Sequence, residues 1–108
     1  MSDWIKIARA SDIPDPGKET LEVAETMVVL IHAGGAFYCI DDVCTHDGGP
    51  LGDGPLDGCQ IICPRHGARF DVRTGKAVTM PATVDVRVHE VKVEGDDVYV
   101  RLNEDEPS

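Results

Sequence analysis

The chain lacks a long apolar run. None of its 108 residues fall in a stretch approaching the roughly 20 apolar residues that a bilayer-spanning helix needs. The nearest, "TMVVLIHAGGAFYCI", is broken by His32, Gly34 and Gly35. The opening "MSDWIKIARASD" lacks the basic start and apolar block of a secretory leader, so the expected location is the cytoplasm, with no membrane partner. Positive charge is scarce: 10 Lys and Arg stand against 20 Asp and Glu, for a net charge of −10. Such a chain repels nucleic-acid phosphates, which argues against DNA or RNA as a partner. The same charge favours solubility and steers the chain toward a basic surface on a protein partner. Helical periodicity is also missing. "GKETLEVAE" (17–25) is the nearest candidate, but it is short and bordered by β-branched runs.

What is present reads as strand. "WIKIA" (4–8) is an opening strand, and "TMVVLIHAGGAFYCID" is a hairpin turning at Gly34–Gly35. "VDVRVHEVKV" (84–93) alternates, then changes phase at His89–Glu90, which predicts a bulge. "EGDD" then turns the chain into "VYVRL" (98–102). "GCQIIC" (58–63) and "ARFDV" (68–72) are two more short strands. The expected fold is all-β: an antiparallel β-sandwich or partly open barrel, forming one domain over 1–108. The segment from about 41 to 81 interrupts the outer strand pattern and reads as a small inserted lobe. The tail "NEDEPS" is polar and is expected to fray.

Four cysteines in a cytosolic chain point away from disulfides and toward a metal site or buried thiols. Cys39 in "AFYCI" and Cys59 in "GCQII" stand in apolar strand contexts, where a core thiol is the simpler reading. Cys44 and Cys63 stand instead among Gly, Pro, Asp and His. "CTHDGGP" (44–50) sets Cys44 one residue from His46, and "CPRHGARF" (63–70) sets Cys63 two residues from His66. Two matched Cys/His clips argue for one shared centre. Zinc can use two Cys and two His, but its usual spacing groups like with like. A catalytic Cys/His dyad needs one pair, not two. A Cys44–Cys63 disulfide would leave both histidines without a role. His32 and His89 lie in strand patterns, where a solvated or satisfied histidine is the simpler reading.

The mixed pairing resembles the Rieske [2Fe–2S] family, in which two cysteines bind one iron and two histidines the other. The resemblance runs from Ile5 to Leu102 and includes "GGAFYCIDDVCTH" and "GARFDVRTGKAVTMPATVDVRVHEVKVEGDDVYV". It implies one [2Fe–2S] cluster per chain, with Cys44, His46, Cys63 and His66 as ligands, inside the inserted lobe. It also implies histidines bound through Nδ1, with Nε2 outward for electron and proton exchange. With two thiolates and two neutral imidazoles the oxidised cluster is neutral, whereas four thiolates leave it doubly negative, so histidine ligation raises the potential.

Within that family, high-potential members carry a second cysteine pair bridging the loops. Gly49 and Arg65 stand at those places here, so no bridge forms. Such members also carry a Ser and a Tyr whose hydroxyls reach the cluster. Ala68 and Phe70 replace them and donate nothing. Asp41, Asp42, Asp47, Asp53 and Asp57 surround the first clip with no Lys or Arg between 41 and 57. All three features predict a potential toward the bottom of the family's span of roughly −150 to +300 mV.

The length leaves no room for the mononuclear-iron domain of an oxygenase. The resemblance therefore implies a soluble electron-transfer protein rather than an enzyme. It would carry electrons from a flavin-dependent NAD(P)H ferredoxin reductase to a terminal oxygenase, often one acting on aromatic substrates. Two alternatives stay open: a fixed small subunit of a larger enzyme such as NAD(P)H nitrite reductase, and a structural zinc protein of the same shape. The expected docking surface is His46, His66, residues 47–50 and the third loop at Met80–Pro81.

Overall fold

Strands dominate because β-branched and aromatic residues recur at short intervals between turn formers. The computed structural model describes residues 4–43, 51–64, 67–78 and 85–103. Among these, the strands are β1 (Ile5–Arg9), β2 (Gly17–Val23), β3 (Thr26–Ala33), β4 (Ala36–Asp41), β5 (Leu56–Asp57), β6 (Gln60–Ile62), β7 (Arg69–Asp71), β8 (Val88–Glu94) and β9 (Asp97–Arg101). A 3-10 turn at Ala10–Asp12 follows β1. Six strands form one antiparallel sheet in the order β1-β9-β8-β4-β3-β2, and β5-β6-β7 form a second. The edge strands β1 and β2 approach each other, so the larger sheet curls into a nearly closed barrel. The all-β antiparallel expectation holds.

The Gly34–Gly35 hairpin forms where the sequence places it. Ala33 pairs with Ala36, and both glycines have positive φ, as a two-residue turn of matching twist requires. Residues 17–25 are not helical: Gly17–Val23 pairs along its length with Thr26–His32. The turn between them uses Ala24 and Glu25, both with positive φ and neither a glycine.

The predicted bulge at His89–Glu90 is absent. Strand β8 begins at Val88 and pairs with β9 in unbroken register from Glu90 to Glu94, whereas the register shift lies in β1 between Lys6 and Ala8. The change of phase has another cause. Val86 and Val88 pack into the core around Phe70, and Val91 packs into the core around Val98. The chain passes from one core to the other, and His89 fills a buried position on the second face.

These two cores define the architecture. One lies inside the barrel and contains Val28, Leu30, Cys39, Val98 and Val100. The other contains Val29, Ile31 and Ile40 from β3 and β4, with Leu51, Ile61, Cys63 and Phe70 from the smaller sheet and its loops. Strands β3 and β4 therefore contribute to both cores, which explains the continuous apolar run "VVLI" from Val28 to Ile31. Burial of each such side chain contributes about 1.5–3 kcal/mol. The smaller sheet rests on the outer face of this hairpin, and its loops carry Cys63.

Candidate metal centre

Three connections carry the residues singled out by the sequence, and each is fastened at its feet. Strand β4 leads into Asp42, whose Oδ1 accepts the N–H of Gly52 at 2.7 Å. The Lys18 ammonium, reaching from β2, donates to the Gly52 carbonyl at 2.7 Å. Gly52 sits so close to Thr20 that a Cβ there would run into the hydroxyl. Val43 and Leu51, which border the segment with Cys44 and His46, both pack into the core around Phe70.

The second connection joins β6 to β7. The Cys63 N–H donates to the Ala68 carbonyl at 2.7 Å, and the Gly67 N–H returns to the Cys63 carbonyl at 3.0 Å. This pair of bonds brackets the short segment containing His66. The feet of the first and second connections abut. A Cβ on Gly54 would run into the Ile62 carbonyl oxygen and crowd the Pro64 ring. The Ile62 N–H donates to Pro55 at 3.0 Å across the same seam. In the third connection the Ala77 N–H donates to Asp85 Oδ1 at 2.9 Å, and the Val86 N–H donates to Gly75 at 2.7 Å.

Of the four predicted ligands, Cys63 has a described position. It is 1% exposed, packed among Leu51, Ala68 and Phe70. Cys44, His46 and His66 lie outside the described residues, as do residues 47–50 and Met80–Pro81 of the expected docking surface. Among the described residues, no three His, Cys, Asp or Glu side chains gather to hold a metal. The donor set suits a thiolate- and imidazole-bound iron centre: Cys63, the one predicted ligand that is described, lies in an apolar wall, and the foot of its loop abuts that of the other Cys/His segment.

Charge near the first connection is more balanced than the sequence indicates. The acidic run has no cation of its own, but cations arrive from distant strands. Arg87 binds Asp41 through Nε at 3.0 Å, and Arg69 binds Asp57 at 2.8 Å. Burial alone would raise the Asp41 carboxyl, but hydrogen bonds from His89 and Arg87 outweigh it and hold the group below the usual carboxylate range. Asp53 stays exposed. The predicted lowering of potential by these acids is weakened accordingly.

The remaining cysteines and histidines are structural. Cys39 is buried in the barrel, and burial together with the Asp41 charge pushes its thiol up to about 12. Cys59 is half-buried at the margin of the other core. His32 donates through Nδ1 to the Ile13 carbonyl at 2.8 Å and stacks on Phe37 with ring centres 4.0 Å apart. His89 accepts the Asn103 N–H at Nδ1 (2.9 Å), so its proton sits on Nε2 and points to Asp41 at 2.7 Å. Sequence reasoning missed Lys18, Thr20, Asp42, Asp85 and Arg87 as supports of the loops. Its only local hint was the Asp41–Asp42 doublet just before Cys44, since Asp readily captures nearby backbone N–H groups.

The described residues form an all-β domain in which the feet of two Cys/His-bearing connections abut. The Rieske [2Fe-2S] domain model matches residues 3–104. The chain belongs to the Rieske [2Fe–2S] domain family, whose group is the cluster expected from the sequence. Among its relatives is the ferredoxin component of the naphthalene 1,2-dioxygenase/salicylate 5-hydroxylase systems of a Ralstonia species. The two are 37% identical over 100 residues, covering 93% of this chain and 96% of that one. A chain in the complex of reduced oxygenase and oxidized ferredoxin of carbazole 1,9a-dioxygenase superposes with a TM-score of 0.88. It is 36% identical, with 95% of this chain and 97% of that one covered. The ferredoxin of carbazole 1,9a-dioxygenase from Nocardioides aromaticivorans IC177 gives a TM-score of 0.89 at 27% identity, covering 93% and 98%. Among the described residues, no helix is long and apolar enough to cross a membrane.

Proposed function

We propose that the chain is a cytoplasmic one-electron carrier, not itself an enzyme. It takes electrons from a flavin-dependent NAD(P)H ferredoxin reductase and delivers them to a terminal oxygenase acting on aromatic compounds. Cys44 and Cys63 would hold one iron, and His46 and His66 the other, in a lobe of about 41–81 set on a base formed by the rest of a single domain. One observation carries the reading. Within a Rieske-matched chain, Cys63 is buried at the foot of a loop that abuts the loop bearing Cys44 and His46.

When bound, the [2Fe–2S] group supplies one-electron chemistry at a potential raised by imidazole ligation. The protein's own residues do the rest. Leu51, Ala68 and Phe70 exclude water from the Cys63 side. The fastenings hold the feet of the ligand-bearing segments, which favours little rearrangement when the charge changes. Ala68 and Phe70 offer no hydroxyl donor, which supports a potential toward the bottom of the family range. The docking surface would be the loop pole: His46, His66, residues 47–50, Met80–Pro81 and the exposed Asp53, meeting a basic face on the oxygenase.

The test is reconstitution. Purified protein should carry iron and sulfide, give the reduced-state EPR signal of a histidine-ligated [2Fe–2S] centre, and pass electrons from such a reductase to such an oxygenase. A colourless protein with stoichiometric zinc would defeat the reading. Stable co-purification with a large redox enzyme would replace the mobile carrier by a fixed subunit.

A further inference from the structure

We infer that Arg87 is a positioning residue for the metal centre: it locks the segment after the third connection to the base of the first, and it cancels the charge of Asp41, three residues before Cys44. The inference rests on the reading that Cys44, His46, Cys63 and His66 hold a Rieske cluster.

Asp41 and Arg87 lie 46 residues apart and hold each other twice. The guanidinium grips the carboxylate as a fork, Nε on Oδ2 at 3.0 Å and Nη2 on Oδ1 at 3.3 Å. In the other direction, the Asp41 N–H donates to the Arg87 carbonyl at 3.0 Å. Both side chains are largely covered, at 23% and 16% exposed, so solvent screens the pair poorly. The adjacent residues extend the frame. Asp42 fastens Gly52 across the first connection, and Asp85 fastens Ala77 across the third. The Asp41–Arg87 pair thus joins two fastened loops into one unit.

His89 reaches Asp41 by a different contact. Its Nδ1 accepts the Asn103 N–H, and its Nε2 donates to Asp41 at 2.7 Å. Among the described residues, Arg87 is the guanidinium that pairs Asp41, and a guanidinium keeps its positive charge at every working pH. Asp41 lies three residues before Cys44. An unpaired carboxylate there would oppose an electron added to the centre, and Arg87 removes that opposition.

The experiment uses the loaded protein and variants R87Q, R87K, D41N and R87Q/D41N, read by protein-film voltammetry. R87Q exposes the Asp41 charge, so its midpoint potential should fall below that of the wild type. D41N leaves Arg87 unopposed, so its potential should rise. The double variant should return toward the wild type, and R87K should stay near it. A purely structural role gives no such alternation of sign. Shifts in the same direction for R87Q and D41N, or no shift in either, overturn the inference. If R87Q alone fails to load, a loaded double variant supports the inference and an empty one overturns it. Wild-type protein that lacks iron and sulfide overturns the Rieske reading as well. Loaded wild type with the wrong signs overturns only the role of Arg87.

Discussion

The Asp42 carboxylate accepts the Gly52 N–H at 2.7 Å, closing the base of the segment that carries Cys44 and His46. Asp42→Ala leaves that N–H without its partner in a partly buried place. The expected cost is about 1–3 kcal/mol, which thermal melting would register as several degrees. Asp42→Asn keeps an acceptor oxygen and should recover most of the loss. An Ala variant as stable as the wild type would show that the fastening contributes nothing.

The β2–β3 turn is built from residues poorly suited to it. Ala24 and Glu25 have φ of 48° and 67°, a region that costs a residue with a side chain about 1–2 kcal/mol. Replacing the pair by Asn-Gly should stabilise the protein by roughly 1 kcal/mol once glycine's extra chain entropy is subtracted. Urea titration would measure the gain as a higher midpoint at unchanged slope.

Cys39 should be inert in the folded protein. With its thiol near 12, about one part in ten thousand is thiolate at pH 8, and the side chain is sealed from reagent. Half-buried Cys59 should alkylate first. Mass spectrometry after brief iodoacetamide treatment of the loaded protein would locate the label, and early modification of Cys39 would contradict the core placement.

The pH dependence of Asp41 has a defined sign. Its carboxyl is depressed in the folded state, so its contribution to stability is complete above the ordinary carboxylate value near 3.9 and is lost as pH falls through the lower folded value. Wild type should exceed Asp41→Asn in stability by a constant margin at neutral pH, and the margin should close only below about pH 4. Melting curves of the two proteins across that range would show it. A margin that widened on acidification would reverse the assignment.

The Gly34–Gly35 hairpin was legible because its turn chemistry is local and its glycines are the residues that the geometry demands. The family was legible for a similar reason, since the Cys-x-His and Cys-x-x-His spacings lie within a few letters. The β2–β3 hairpin was hidden, because Ala-Glu carries no turn signal. The phase change at His89 was visible, but its cause was not: alternation along one strand does not reveal that two cores lie on opposite faces. The loop fastenings were the least legible. Arg87 finds Asp41 across 46 residues, and Lys18 finds Gly52 across 34, distances over which no local pattern survives.

The turn at Gly58–Cys59 lies beside the Gly34–Gly35 turn, with the Cys59 sulfur 3.9 Å from where a Cβ on Gly34 would stand. Asp42 follows the other end of β4, about 23 Å from Gly35 at the rise of an extended strand. Open space surrounds Gly35 and Gly58 on the side where a Cβ would project. The molecule therefore has a handle away from the feet of the Cys/His-bearing connections. A domain inserted at the Gly34–Gly35 turn, with its positive-φ glycines kept, would lie far from Asp42 and Gly52.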